Sequence, residues 1–420
     1  MPLEVDEAVQ DPTLVALRSA VPKPGFEAMG EGCYAYHVPE HGISLFADRV
    51  RREQHQLIVE LAVRCLSPGA RTTDGAMLSI ADCNLSSARA RQERAKLLAE
   101  RAKVKGVDWP LLIETFALRV IEAERTGQPA VDLRSLPKPG PEDSLRVDGL
   151  RLPRRHPCII FGDGGAAKSY LALYVAGRLA ESGLSVAYFD WELASEDHRD
   201  RLERLFPDGM PRIVYARCDR PLVHERERLH RIVRTAGVDY AVYDSIAFAC
   251  DGPPEAAEVA AAYFRAVRQI GVGSLHLAHT NRSDRADEKP FGSTFWHNGS
   301  RCTWFAKLAP EGSRENSITL GLFCKKFNLG RLPSPTGWEI VFDGETTRFT
   351  RTDVAETPEL AVHLTTKQRL IALLRRGAMT IDELAAELGL KPDTVGRTLR
   401  RHRQVFVSLG GGRYGLLSTT

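Results

Sequence analysis

The chain has no C-x-x-C pair. Its eight cysteines, at positions 33, 65, 83, 158, 218, 250, 302 and 324, are scattered, which argues against zinc ribbons and dithiol redox motifs. Unpaired thiols suit a reducing cytoplasm. No apolar run approaches the ~20 residues of a membrane span, so no membrane partner is expected. The start, Met1-Pro-Leu-Glu-Val-Asp-Glu, is acidic and has no signal-peptide core. No internal repeat is visible. A strong charge of one sign is also missing: the net charge is +3 over 420 residues. That charge is unevenly placed. Residues 361–420 hold ten Lys/Arg against four Asp/Glu, a balance of +6, which leaves −3 for the rest. A basic module on a slightly acidic body points to an acidic partner such as nucleic acid. Hydrophobic content of 43% and charged content of 26% are ordinary for a globular protein. The length allows two or three domains.

Residues 1–30 lack periodicity and read as an extended or disordered lead. Short strands and turns are expected from Cys33 to about Leu85, with a strand at Gln56-Leu-Ile-Val-Glu-Leu-Ala-Val. Helical composition follows over Ser86 to Lys105 and again over Trp109 to Arg125. Pro137, Pro139, Gly140 and Pro141 mark a linker. Residues 1–145 are thus expected to form an α+β region with its linker, of unknown role. From 146 to about 355, apolar runs begin at Cys158, Ser185, Arg212, Tyr240, Ser274 and Ser317, with helical segments between the first five. That is the βαβ rhythm of a parallel sheet covered on both faces. A hairpin turning at Asp343-Gly344 closes the region.

The first of those strands runs into Gly162-Asp163-Gly164-Gly165-Ala166-Ala167-Lys168-Ser169-Tyr170, and a helix follows at once. This is nearly the phosphate-cradling loop G-x-x-x-x-G-K-[ST]. Glycines let backbone N–H groups converge on phosphate oxygens, and the helix N-terminus adds donors and positive dipole. All nine residues from Gly162 to Tyr170 are candidates for binding ATP. Lys168 would reach the β- and γ-phosphates, and Ser169 the Mg²⁺. Ala167 replaces the usual last glycine, a place that alanine fills if its φ is negative.

The second strand ends in Asp190-Trp191-Glu192. Carboxylates at the C-terminal edge of an open α/β sheet lie where ligands bind. One of them can deprotonate the water that attacks a γ-phosphate. Glu192 is taken as that base; a helix-capping or salt-bridging acid is the other reading. A later strand ends in Asp244-Ser245, about 75 residues after the loop, and Asp244 is placed to hold Mg²⁺ through water. Another strand ends in His279-Thr-Asn281. His279 or Asn281 can touch the γ-phosphate or the attacking water, and a hydrogen-bonded histidine at a strand end fits equally well.

The order of Gly162–Ser169, Glu192, Asp244-Ser245 and His279 resembles the RecA-like P-loop ATPases, in particular the branch of RepA-type and DnaB-type hexameric helicases. The resemblance covers about half of the chain. It implies an α/β, RecA-like P-loop core with a mostly parallel sheet. It further implies a homo-oligomer, usually a hexamer, with ATP at subunit interfaces and single-stranded DNA through the centre. A basic finger from the neighbouring subunit is implied too. The matching stretch here is Phe323-Cys-Lys325-Lys326-Phe327-Asn-Leu-Gly-Arg331. The finger falls on Lys325, with Arg331 as a possible second member, because Phe327 takes the arginine place of the family's Lys-x-Arg. The segment after the sensor lines the DNA channel in such proteins. In this sequence it holds Arg282, Arg285 and Lys289, which can track phosphates, then Phe295 and Trp296, which can stack on bases. A plain surface loop explains it as well.

The last sixty residues have a separate logic. Thr366-Lys-Gln-Arg-Leu-Ile-Ala-Leu-Leu-Arg is an amphipathic helix. Thr380 and Glu383 form a capping box for the next. A third helix opens at Asp393, and Gly410-Gly-Gly-Arg413 makes a β-wing. This resembles a winged helix-turn-helix, whose third helix and wing would offer Arg397, Arg400, Arg401 and Arg413 to duplex DNA. A winged helix used for protein contacts remains open. Taken together, the sequence suggests a cytoplasmic, Mg²⁺-dependent ATPase associated with DNA: a hexameric helicase or motor of a plasmid, phage or other mobile element. The alternative is a RecA-like ATPase that does not unwind, a regulatory or defence switch that assembles on DNA or on a partner.

Overall fold

The computed structural model describes residues 25–30, 32–127, 130–138, 144–280, 289–309 and 316–417. The chain divides into two units, Met1–Lys138 and Pro139–Thr420. Among the described residues, no helix is long and apolar enough to cross a membrane.

The first unit is a five-stranded antiparallel meander followed by two helices. The strands are β1 (Gly25–Gly30), β2 (Cys33–Val38), β3 (Ile43–Glu53), β4 (Gln56–Cys65) and β5 (Met77–Asn84), ordered as in the chain. Strict alternation in β4 buries Leu57, Val59, Leu61 and Val63. Helices α1 (Ala88–Ala102) and α2 (Trp109–Thr126) cover that face with Leu98, Ile113, Phe116 and Val120. The expected extended lead is corrected at its end, because residues 25–30 pair with β2; residues 1–24 lie outside the described residues.

The second unit opens on a small hairpin, β6 (Ser144–Val147) with β7 (Leu150–Pro153). Mixed α/β structure follows, around a nine-stranded, mostly parallel sheet. Its strands are β8 (Pro157–Gly162), β9 (Val186–Asp190), β10 (Ile213–Arg217), β11 (Tyr240–Asp244), β12 (Gly273–His279), β13 (Cys302–Ala309), β14 (Ser317–Phe327), β15 (Thr336–Asp343) and β16 (Thr346–Thr352). The order is β10-β9-β11-β12-β8-β13-β14-β15-β16. The first six are parallel to their neighbours, and the last three turn back antiparallel. Strands β8, β9 and β11 are buried almost throughout because both faces are covered. Helices α3 (Lys168–Glu181), α4 (Ser195–Leu205), α5 (Leu222–Thr235), the one-turn α6 (Ile246–Ala249), α7 (Ala257–Ile270) and the short α8 (Thr294–Gly299) connect them. Two apolar clusters fill the two sides of the sheet, one including Ile159, Phe161, Phe189 and Tyr243, the other Ile160, Leu171, Tyr188 and Val242.

Past the short α9 (Pro358–Ala361), residues 366–416 form three helices and a three-stranded antiparallel sheet. The helices are α10 (Thr366–Arg376), α11 (Ile381–Leu388) and α12 (Pro392–Arg401), and the sheet order is β17 (Met379–Thr380), β19 (Arg413–Leu416), β18 (Phe406–Ser408). They share a small core of Leu370, Leu374, Leu384, Val395, Leu399 and Phe406. The Thr380–Glu383 capping box is present, and a second one, Thr365 with Gln368, starts α10.

Candidate nucleotide site

The loop joins β8 to α3 at the C-terminal edge of the sheet. Gly162 is forced by a close approach: a Cβ there would lie 2.3 Å from the Ala306 carbonyl oxygen of β13. Gly165 takes φ +76°, and added Cβ atoms at Gly164 and Gly165 would meet nothing within 4 Å. The loop is therefore held at its base and open at its rim. Ala167 corrects the sequence reading. It caps α3 in the left-handed region, at φ +51° and ψ 24°, where the sequence predicts a negative φ.

Lys168 is 8% exposed. Its ammonium donates to the carbonyls of Asp163 (2.7 Å) and Gly162 (3.1 Å). Burial pushes its pKa down, opposed by the fields of Asp244, Glu192 and Asp163. A buried cation beside three carboxylates, resting on the carbonyls of its own loop, suits a triphosphate-binding lysine.

Asp244 is 2% exposed. The Tyr188 hydroxyl donates to its Oδ2 at 2.7 Å, and Ser169 hydrogen-bonds to it. Burial raises its pKa to about 6; these two bonds lower it, and the neighbouring Glu192 and Asp190 charges raise it. Ser169 and Asp244 thus converge beside the loop, and a hydroxyl with a carboxylate is a suitable oxygen donor pair for Mg²⁺.

Asp190 and Glu192 play different roles. Asp190 is fully buried. It accepts the amide hydrogens of Glu192 and Leu193, each at 3.0 Å, and the Tyr215 hydroxyl at 3.0 Å. His198 Nε2 lies 3.3 Å away, and Arg217 Nη1 3.5 Å. Burial pushes the Asp190 pKa up, but His198 and these bonds outweigh it and hold the carboxyl below its usual range. Asp190, His198 and Asp244 offer donor atoms within 4.8 Å of one another, yet Asp190 is already committed to the donors around it. Glu192 is exposed, and its Oε1 accepts the Ser245 hydroxyl.

His279 pairs with Gly162 across β12 and β8, and the Thr280 amide donates to the Gly162 carbonyl at 3.2 Å. Burial lowers the His279 pKa, helped by the nearby Lys168 charge, so its ring is neutral near pH 7. One edge of the sheet therefore brings together Gly162–Ser169, Glu192, Asp244 and His279. Tyr170 turns outward, with the Arg201 guanidinium 4.6 Å from its ring centroid and Phe342 at 5.5 Å.

Lys325 and Arg331 are not brought to this site within one chain. Strand β14 runs toward the opposite edge, with Lys326 opposite Thr303, itself opposite Ile159. Lys325 Nζ lies 5.5 Å from the Phe305 ring centroid, and Arg331 is exposed. Lys326 donates to the carbonyls of His297, Asn298 and Ser300, closing the end of α8. Trp296 is corrected: it is 1% exposed, packs on Tyr263 and Phe264, and donates to the Pro254 carbonyl, so no base can stack on it. Phe295, at 49%, and Lys289 are exposed. Arg282, Arg285 and Asn281 lie outside the described residues. Arg397, Arg400 and Arg401 are exposed along α12. Arg413 is exposed too, and it donates to the Ala378 carbonyl at 3.3 Å.

Three contributors were not read from the sequence. Lys307 reaches Asp163 Oδ2 at 3.4 Å from β13, a strand that the sequence reading missed. Tyr188 and Tyr215 sit under the carboxylates from inside apolar runs. An aromatic in such a run has no signal that separates it from core.

The sequence matches no protein-family model and no curated protein. Among solved structures, it is similar to the ATPase domain of a DnaB-like helicase, at 13% identity and a TM-score of 0.39. That match covers 48% of this chain and 86% of the other. It is also similar to a KaiC-like protein from Pyrococcus horikoshii OT3, at 14% identity and a TM-score of 0.36, covering 47% of this chain and 91% of the other. At these scores the site's own geometry carries the functional argument.

Proposed function

We propose that this chain is a RecA-like, Mg²⁺-dependent ATPase that works on DNA. One observation carries the reading. A glycine loop that is open at its rim, a buried lysine, a Ser–Asp pair and an exposed glutamate converge on one edge of a parallel sheet. Each has a part in hydrolysing a γ-phosphate. The loop amides and Lys168 would bind and neutralise the phosphates. Ser169 and Asp244 would hold Mg²⁺, which when bound neutralises charge on the β- and γ-oxygens. Glu192, not the committed Asp190, takes the proton of the attacking water on a side-chain oxygen. Neutral His279 is placed to sense the γ-phosphate from the adjacent strand. Lys325, remote from the site of its own chain, fits a finger given to a neighbouring subunit, in keeping with a ring assembly, hexameric as first choice. The exposed arginines of α12 suit duplex DNA held by a winged helix-turn-helix, with Arg413 on its wing.

The domain reading is an N-terminal region over 1–145, an ATPase body over 146–355 and the basic module over 361–420. A helicase or motor of a mobile element is the finer assignment; a non-unwinding switch is its rival. The test is ATP turnover by the full chain with and without DNA, then strand separation on a forked duplex. Turnover that DNA stimulates, and that Lys168→Ala abolishes without lowering the melting temperature, is expected. Wild-type turnover in Lys168→Ala defeats the reading. Turnover without strand separation selects the switch.

A further inference from the structure

The turn that carries Glu192 is fastened to the outer strand of the sheet. Asp190 accepts the amides of Glu192 and Leu193 on one side of the turn. On the other side the Leu193 carbonyl accepts Arg217 Nη1 at 2.6 Å and lies 3.2 Å from the Tyr215 hydroxyl. That same hydroxyl lies 3.0 Å from Asp190 Oδ2, so Tyr215 spans both anchors. Both side chains come from β10, which pairs in parallel with β9 and sets Arg217 opposite Asp190. Glu192 is the residue between the pinned positions, and its own carboxylate meets Ser245. Among the described residues, neither Tyr215 nor Arg217 hydrogen-bonds to the phosphate loop.

We propose that Tyr215 and Arg217 are positioning residues for Glu192, acting through Asp190 and the Leu193 carbonyl. The inference rests on the reading of Glu192 as general base. A base works only within hydrogen-bond reach of its proton, and a displacement near 1 Å costs on the order of a hundredfold in rate. Two bonds from the edge strand fix the carbonyl that directly follows Glu192, so their loss lets the base swing while the phosphate contacts stay. The fold does not depend on them. The Cys218 amide still donates to the Asp190 carbonyl, and the Trp191 amide to that of Asp244. The Arg217 side chain is 42% exposed.

The test uses the full chain with Tyr215→Phe, Arg217→Ala and Arg217→Lys. Three quantities are measured: kcat for ATP, the Kd of a fluorescent non-hydrolysable ATP analogue, and amide hydrogen exchange over residues 190–194. Tyr215→Phe and Arg217→Ala should each lower kcat about tenfold or more, leave Kd within about twofold, and speed exchange of the Glu192 and Leu193 amides. Arg217→Lys keeps a donor for the Leu193 carbonyl and should recover part of both kcat and protection. Unchanged kcat in both variants overturns the proposal, whatever exchange shows. A parallel loss of Kd, kcat and thermal stability also overturns it, since that marks a merely structural role. An inactive wild type refutes the reading of Glu192 instead, and is recognised because no variant is needed to see it.

Discussion

Ala167 holds a left-handed backbone that glycine adopts freely. For an alanine that conformation costs about 1–2 kcal/mol. Ala167→Gly should therefore raise stability by roughly 0.5–1 kcal/mol, after the extra chain entropy of glycine is subtracted, and should leave ATP-analogue binding intact. Chemical denaturation of both proteins checks it, and a less stable glycine variant would refute the strain. The sequence showed the missing glycine but not the sign of φ, which depends on how the loop enters α3. Asp244 makes a second residue-level prediction. Its folded pKa, about 6, stands above the ordinary carboxylate value of 3.8. The folded chain binds that proton more readily than the unfolded chain, so stability falls as pH rises from about 4 to about 6. Above that window the ionised carboxylate costs on the order of 2–3 kcal/mol. Asp244→Asn keeps an acceptor for the Tyr188 hydroxyl and loses the charge. In thermal melts without nucleotide it should exceed wild type at about pH 7.5, with the gap closing near pH 4. No gap at the higher pH would mean that Asp244 is not buried as a charge.

Among the elements, the phosphate loop shows two kinds of glycine. Gly162 faces the Ala306 carbonyl at a distance no Cβ can share, whereas Gly164 faces open space. Gly162→Ala must push β8 away from β13, so it should lower the melting temperature by several degrees and weaken nucleotide binding. Gly164→Ala should leave the melting temperature within about a degree. Equal melting of the two variants would refute the close packing of β8 on β13. The strands that set these contacts were unevenly legible. Runs such as Cys158–Phe161 and Tyr240–Tyr243 announced buried parallel strands, and the alternating spacing of Gln56–Val63 announced β4. Strand β13 went unread because Cys302–Ala306 is buried on both faces and so has no period. It also follows directly on the aromatic segment 291–299, which reads as a loop. With β13 unread, Lys307 could not be placed beside Asp163, and Trp296 kept the look of an exposed aromatic. Chemistry placed at strand ends was legible, since Lys168, Glu192, Asp244 and His279 each close an apolar run. The bonds that fasten Glu192 were not, because Tyr215 and Arg217 lie on a strand distant in sequence.

In the whole molecule, charge is carried where it does least structural work. Arg397, Arg400 and Arg401 are exposed on α12, while Val395 and Leu399 of the same helix are buried in the small core. Among the described residues, no ion pair within the chain is formed by these three arginines. Solvated guanidinium groups with no internal partner contribute little to stability, so removing them should not unfold the module. On duplex DNA they would neutralise phosphates and release counterions, which makes affinity fall with salt at a slope of about −0.9 per phosphate. The triple variant Arg397→Ala, Arg400→Ala, Arg401→Ala, made in the full chain, should bind duplex more weakly. Its salt slope should be shallower by up to roughly 3. Its melting temperature should match wild type, and so should its ATP turnover without DNA. Fluorescence anisotropy with a labelled duplex, from about 50 to 200 mM salt, measures the slope. An unchanged slope would mean that α12 does not touch the phosphates. The module's exposed face would then be free for a protein, and the ATPase would be better read as a switch that assembles on a partner than as a motor loaded on DNA.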